Sequence, residues 1–383
     1  MFSLSGCANM PEVRVQLGAG DAGPARYPGV VIADEPEAAK AARAILEAGG
    51  SAGDAAVTLA LSLAVTLPSA AGLGGGGSCL VHDRQTEPLD FKGTPGTAGA
   101  ALPALPRGLL TLHAKYGDLP WSQVVAPAEA LARFGHRVSP ALARTLTAQG
   151  AVLAKDGAAL LAFMNKERQV VQEGETLTHA DLAVTLGRIR ARASEFYDGA
   201  LAQEIEAVAG QSGITQAGLR DDVPRWARAQ RRNEGLLTRF TTVGAAALSP
   251  APAATTSFLV ADGEGYTVAC TLTMGQPFGL GVMAKGLGFL LAPSIAPPPA
   301  FPAEVGATRP RGVMVFAAAG GVVGDAFTPG AQAGEIIDRI PAEANGHMLV
   351  CTRAEAATSP TCAVRADPRS GASAMVFDVK AQK

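Results

Sequence analysis

Charge is scarce in this chain. Asp, Glu, Lys and Arg make up 17% of its 383 residues and nearly cancel, leaving a formal net charge of −2. No basic stripe with interleaved aromatic residues is present, which argues against nucleic acid as a partner. The densest basic run, Arg225 to Arg239 around Arg228, Arg231 and Arg232, reads as the solvated face of a helix. Long apolar runs are missing too. The longest, Ala55 to Pro68, is about 14 residues, too short to span a bilayer, and it reads as a buried core helix. Histidine is rare: His82, His113, His136, His179 and His347 show no H-E-x-x-H spacing, so no metal is expected. No cofactor is expected either. Gly72, Gly74 and Gly77 formally satisfy G-x-G-x-x-G, but that motif must follow a strand and open a helix. Here the order is helix, glycines, strand, and no Gly-Lys-Ser/Thr follows to make a P-loop. The glycines imply a turn that needs positive φ and close backbone approach. Internal repeats are absent.

What is plentiful is glycine (45) and proline (26). Alanine-rich helices packed on glycine-rich turns give this composition, and it is not that of a disordered chain. Length suggests two or three domains, although a layered α/β fold of this size can be one unit. Val30 to Ala33 reads as a short strand. Asp34 with Glu37 reads as a capping box opening a helix from Glu37 to Glu47, ended by Gly49-Gly50. Further helices are expected over 109–116, 121–134, 139–147 and 180–193, then a polar, basic, linker-like stretch to Arg239. An Ala/Pro-rich bridge leads to Thr255, after which strands are expected over 257–261 and 266–273. Sheets sandwiched by helices follow from this order.

Five cysteines are present. Leu4-Ser5-Gly6-Cys7 matches the bacterial lipobox, in which a Cys becomes the lipidation site. Only three residues precede it, and a working export signal needs a charged region and an apolar stretch. Either the start lies upstream or the match is accidental; its place at the extreme N-terminus favours a truncated signal. The strands around Cys351 and Cys362 set up either a disulfide in an oxidising compartment or two free buried thiols. Cys79 and Cys270 read as core residues.

Several runs resemble, in order, the gamma-glutamyltranspeptidase family. Gly49-Gly50-Ser51-Ala52-Gly53-Asp54-Ala55-Ala56-Val57 is similar to its G-G-N-A-x-D-A-A-V. Pro68 to Gly76 is similar to P-x-S-S-G-x-G-G-G. Tyr116 to Trp121 with Ala126-Pro127-Ala128 is similar to Y-G-x-L-P-W…A-P-A. Phe196-Tyr197-Asp198-Gly199 and Ala366-Asp367-Pro368-Arg369 match shorter motifs. The resemblance implies a four-layer αββα sandwich, an α/β (α+β) fold of the N-terminal-nucleophile hydrolase type. It implies a lead-in over 1–28, a large-subunit-like segment over 29–254 and a small-subunit-like segment over 255–383, both in one intertwined domain. It also implies self-cleavage between Ala254 and Thr255, Thr255 as nucleophile, Thr273 as the residue that orients it, and Gly320-Gly321 as the oxyanion hole. The family is usually exported in bacteria, which with Cys7 points to the periplasm or an outer-membrane lipoprotein.

The substrate clamp departs from the family pattern. Asp90-Phe91-Lys92-Gly93 stands at D-F-R-E, so a forked guanidinium has become the point charge of Lys92. Gly275 stands where the family has Asn after the second Thr, and Ala292 to Pro297 lacks the Asp that holds a substrate amine. Three readings follow. The first is a self-processing gamma-glutamyltransferase or hydrolase acting on a small glutathione-type amide, with Lys92 and Gly275 at the substrate. The second is an amide hydrolase with altered acyl specificity. The third is a catalytically impaired, envelope-anchored binding or scaffold protein.

Overall fold

The computed structural model describes residues 14–15, 27–83, 85–234, 237–241, 254–294, 303–308, 314–319, 335, 338, 347–352, 360–366 and 372–379. Two seven-stranded antiparallel sheets form the centre. The first runs Ser373–Phe377, Gly29–Ala33, Thr255–Ala261, Thr267–Thr273, Gly76–Asp83, Gln85–Phe91, Arg225–Trp226. The second runs Arg14–Val15, Thr361–Arg365, His347–Thr352, Met314–Ala319, Ala303–Thr308, Leu237–Thr241, Gln230–Glu234. Both sheets combine strands from before Thr255 with strands from Thr255 onward.

Side-chain alternation sorts the first sheet into two faces. Val30, Ile32, Leu80, Leu259 and Ala269 pack on Leu349, Cys351 and Val364 of the second sheet. Val31, Cys79, Val81, Phe258, Val260 and Cys270 point the other way, into the helices. The helix Ala52–Thr66 lies there with every residue buried, as its apolar run requires. Its N-terminus carries a capping box of Ser51 and Asp54. Asp54 Oδ2 also accepts the backbone N–H groups of Asp118 and Leu119, each at 3.0 Å. Burial opposes ionisation there, but His113 and those N–H donors hold the Asp54 carboxyl below its usual range. The G-G-S-A-G-D and Y-G-D-L-P-W runs are therefore two halves of one helix-capping knot.

Several expectations are corrected. The box at Asp34 and Glu37 does not form: the helix is Pro36–Glu47, Glu35 holds the cap position, and no side chain caps it. Proline supplies that start, since its missing N–H needs no partner. The linker-like stretch is ordered as helices Glu195–Asp198, Ala200–Ala209 and Gln216–Asp221. Buried Leu201, Ala202 and Ile205 fix the middle one. The basic run Arg225 to Arg239 falls on strands, not a helix face. Gln230–Glu234 is the outermost strand of its sheet, and charge on an edge strand blocks unwanted pairing.

The glycine run needs close approach but not positive φ, which none of Gly72 to Gly77 adopts. A Cβ on Gly74 would sit 2.1 Å from the Leu290 carbonyl oxygen, and one on Gly76 would sit 2.4 Å from that of Phe91. Cys79 and Cys270 are core residues, but they are not free: they form a disulfide across paired strands. Cys351 and Cys362 form a second one across the strands His347–Thr352 and Thr361–Arg365. Cys7, Gly320 and Gly321 lie outside the described residues.

Peptide mapping without reductant is expected to recover Cys79 and Cys270 in one cross-linked peptide. Cys79→Ala should lower unfolding stability by about 2–4 kcal/mol in a denaturant titration.

Candidate active site

One end of the first sheet gathers the residues singled out by sequence. Thr255 pairs directly with Thr273, Thr273 pairs with Gly76, and Gly77 pairs with Phe91. Lys92 therefore comes next to Gly76, three strands from Thr255, or roughly 14 Å at ordinary strand spacing. The glycines make this row. A Cβ on Gly75 would lie 2.3 Å from the Thr273 carbonyl oxygen. Only glycine lets the turn close against the strand that carries Thr273.

The backbone before Thr255 is held from two sides. The Ala254 carbonyl oxygen accepts a hydrogen bond from Thr273 Oγ1 at 3.1 Å and one from the Met274 N–H at 3.1 Å. Ala254 is buried and Thr255 half-buried. Thr273 Oγ1 in turn accepts the Gly275 N–H at 2.9 Å. That bond orients the threonine hydroxyl so that its proton is free to point at Ala254. Gly275 has φ +75°, a left-handed conformation that glycine takes without strain. The turn continues with Phe278 at φ +62°. Buried Phe278 packs edge-on against Phe163, and its N–H donates to the Ser69 carbonyl.

Lys92 is mostly buried and pairs with Asp90 at 3.2 Å. Its charge is thus partly balanced within the chain. Among the described residues, no group of three His, Cys, Asp or Glu side chains has metal-binding geometry. His82 Nδ1 lies 2.8 Å from Thr86 Oγ1 inside its hairpin. Trp121 packs on His113 and donates to the Ile189 carbonyl.

Sequence reasoning missed the Met274 N–H and two acids that end the strand next to the one opening at Thr255. The Met274 N–H carries no side-chain signal. Asp34 and Glu35 follow the strand Gly29–Ala33, where Asp34 reads as a helix-capping residue. Asp34 instead bonds Thr256, and Glu35 is fully buried with its carboxyl bonded to the Ser139 hydroxyl. A pair of acids ending a buried strand was the available signal.

With this geometry in view, the relatives can be compared. The profile of the gamma-glutamyltranspeptidase family matches residues 38–102 and 91–230, just over half of the chain. The chain belongs to that family. The profile match stops before Thr255, so the fold carries the comparison further. The structure superposes on cephalosporin acylase from Bacillus halodurans with a TM-score of 0.70, covering 97% of this chain and 98% of that one at 19% identity. The Helicobacter pylori gamma-glutamyltranspeptidase superposes with a TM-score of 0.51, 27% identity, and 57% and 69% coverage. The fold is the αββα N-terminal-nucleophile sandwich. In sequence, the Escherichia coli glutathione hydrolase proenzyme is 33% identical over 46% of this chain. The match spans 35% of that relative's length, so large parts of the relative have no counterpart in the alignment.

Burial, reinforced by neighbouring Asp34 and Glu37, raises the Glu35 pKa to about 8. The folded chain then keeps a proton that the unfolded chain releases near its ordinary value. This contribution to stability is fully present at acid pH and is lost as pH rises toward 8, by at most about 1.4 kcal/mol per pH unit. Glu35→Gln should flatten the decline in stability between about pH 5 and 8, measured by chemical denaturation across that range. An unchanged slope would place the ionisation elsewhere.

Proposed function

We propose that the chain cuts itself between Ala254 and Thr255 and then uses Thr255 as an N-terminal nucleophile on an amide-linked acyl group. The observation that carries this reading is the Ala254 carbonyl, gripped by the Thr273 hydroxyl and the Met274 N–H. Two donors on one carbonyl oxygen stabilise the negative charge that develops there when the carbon is attacked. One such donor is typically worth about 2.7–4 kcal/mol of barrier.

In the first step Thr255 Oγ1 attacks the Ala254 carbonyl carbon. The C–N bond breaks, the hydroxyl proton passes to the nitrogen, and an ester links Ala254 to Thr255. Water hydrolyses that ester, leaving the Ala254 carboxylate and a free Thr255 α-amine. That amine has an ordinary pKa of about 7.7–8.0, so near neutrality it can act as the base for its own hydroxyl. In turnover Thr255 Oγ1 takes the acyl group, the substrate amine leaves with a proton, and water or an acceptor amine releases the product. Gly320 and Gly321 are the proposed oxyanion donors of this second reaction.

For the substrate, family membership supports a gamma-glutamyl or related amide, as in the relatives named for glutathione hydrolysis. The Lys92–Asp90 pair favours a variant of that reading. A lysine already paired to a carboxylate offers less to a free glutamate carboxylate than a forked arginine does. An amide donor without glutamate's α-amino acid head suits it better. Two disulfides support an oxidising location, so the periplasm or outer membrane is the proposed address, with Cys7 as its lipid anchor.

Under reducing conditions, wild-type protein should resolve by intact mass into residues up to 254 and residues 255–383, while Thr255→Ala stays one chain. Thr273→Val should slow cleavage by about 10²–10³-fold, the effect of losing one oxyanion donor. Because Cys79 and Cys270 lie on opposite sides of the cut, the cleaved protein should run as one species without reductant and as two with it.

A further inference from the structure

Asp34 stands just past the strand Gly29–Ala33, beside the nucleophile strand, and the chemistry proposed above does not use it. Its Oδ2 accepts the Thr256 hydroxyl at 2.6 Å, a short charge-assisted hydrogen bond. Its Oδ1 lies 3.2 Å from His347 Nε2, and His347 is fully buried. The three residues come from three places. Thr256 immediately follows Thr255. His347 opens the strand His347–Thr352 in the second sheet. In that sheet His347 pairs in register with Ala319, the residue directly before Gly320. One carboxylate thus reaches the residue after the nucleophile and the residue that flanks the approach to Gly320.

We propose that Asp34 is a positioning residue that holds Thr255 in place for self-cleavage, acting through Thr256 on one side and braced against His347 on the other. The inference rests on the reading of Thr255 as nucleophile. Its physical basis is the difference between two kinds of contact. Leu259, Ala261, Leu349 and Val364 hold the sheets together, but apolar contact is non-directional and tolerates sliding. A carboxylate that takes a directional hydrogen bond from Thr256 on one sheet and sits within ion-pair distance of His347 on the other resists that sliding. Such alignment matters at this end of the sandwich, because a misplacement of about 1 Å can lower a rate roughly 10²-fold.

The test compares self-cleavage rates, normalised to folded protein by circular dichroism, in the full chain. Asp34→Asn keeps the shape and removes the charge. His347→Leu removes the partner, whereas His347→Gln keeps an N–H donor near the same place. Asp34→Asn and His347→Leu are expected to cleave about 10- to 100-fold more slowly than wild type, and His347→Gln to recover most of the rate. Thr256→Val, nearly isosteric, is expected to slow cleavage as well, and it carries the test if Asp34→Asn does not fold. Cleavage of folded Asp34→Asn within twofold of wild type overturns the proposal, as does equal slowing by His347→Gln and His347→Leu. Either result leaves Thr255 as nucleophile untouched. A wild-type chain that never cleaves removes the nucleophile reading and this inference with it.

Discussion

Everything at the candidate site depends on the antiparallel pairing of Thr255–Ala261 with Thr267–Thr273. Register is set by which face of a strand is buried, and a slip of one residue would turn every side chain over. Here both faces are buried, one by helices and one by the second sheet, so the register is fixed from both sides. With Phe258 and Cys270 opposed on the helix face, Thr255 and Thr273 must also be opposed. The Ala254 carbonyl then falls within reach of the Thr273 hydroxyl. A hydrogen bond at the end of the sheet is thus specified by packing in its middle.

The same logic explains where polar groups sit in a chain with so few charges. Burying a carboxylate is unfavourable unless it finds donors. Asp54 finds backbone N–H groups and ties two loops to a helix start. Asp262 does likewise, accepting the N–H groups of Ala52, Glu264 and Tyr266. Burial nevertheless raises its pKa to about 6. Asp34 differs from both, because its partners are side chains on two different sheets. Glu35 differs again, since burial keeps it protonated through neutrality. These acids cluster at element ends, where backbone donors are exposed and the chain changes direction.

Much of this was legible in the sequence. The helix Ala52–Thr66 announced itself by apolar residues on every face, and Val30 to Ala33 and the strands after Thr255 by β-branched runs. The glycine run announced close approach, though its conformation was misjudged. The region from Ser194 to Arg239 was not legible. Its helices are short and its strands pair with distant segments, so local pattern carried little of the signal. Both disulfides depend on which strands lie side by side. Cys351 and Cys362 are close in sequence and were open to pairing; Cys79 and Cys270 are 191 residues apart, and nothing local joins them. The site shows the same division. Motif order brought forward Thr255, Thr273 and Lys92, whereas the Met274 N–H and the Asp34 bridge exist only through tertiary packing.

The departures from the family pattern at Lys92 and Gly275 fall on residues proposed for the substrate, while Thr273 and the Met274 N–H still grip the Ala254 carbonyl. In the proposed function, self-processing and substrate choice therefore rest on different residues. N-terminal sequencing of the purified wild-type protein tests self-processing most directly. The account predicts a second N-terminus reading Thr-Thr-Ser-Phe, in equal amount to the first. A single N-terminus on folded, full-length protein would contradict it, because the α-amine on which the chemistry depends would then never form.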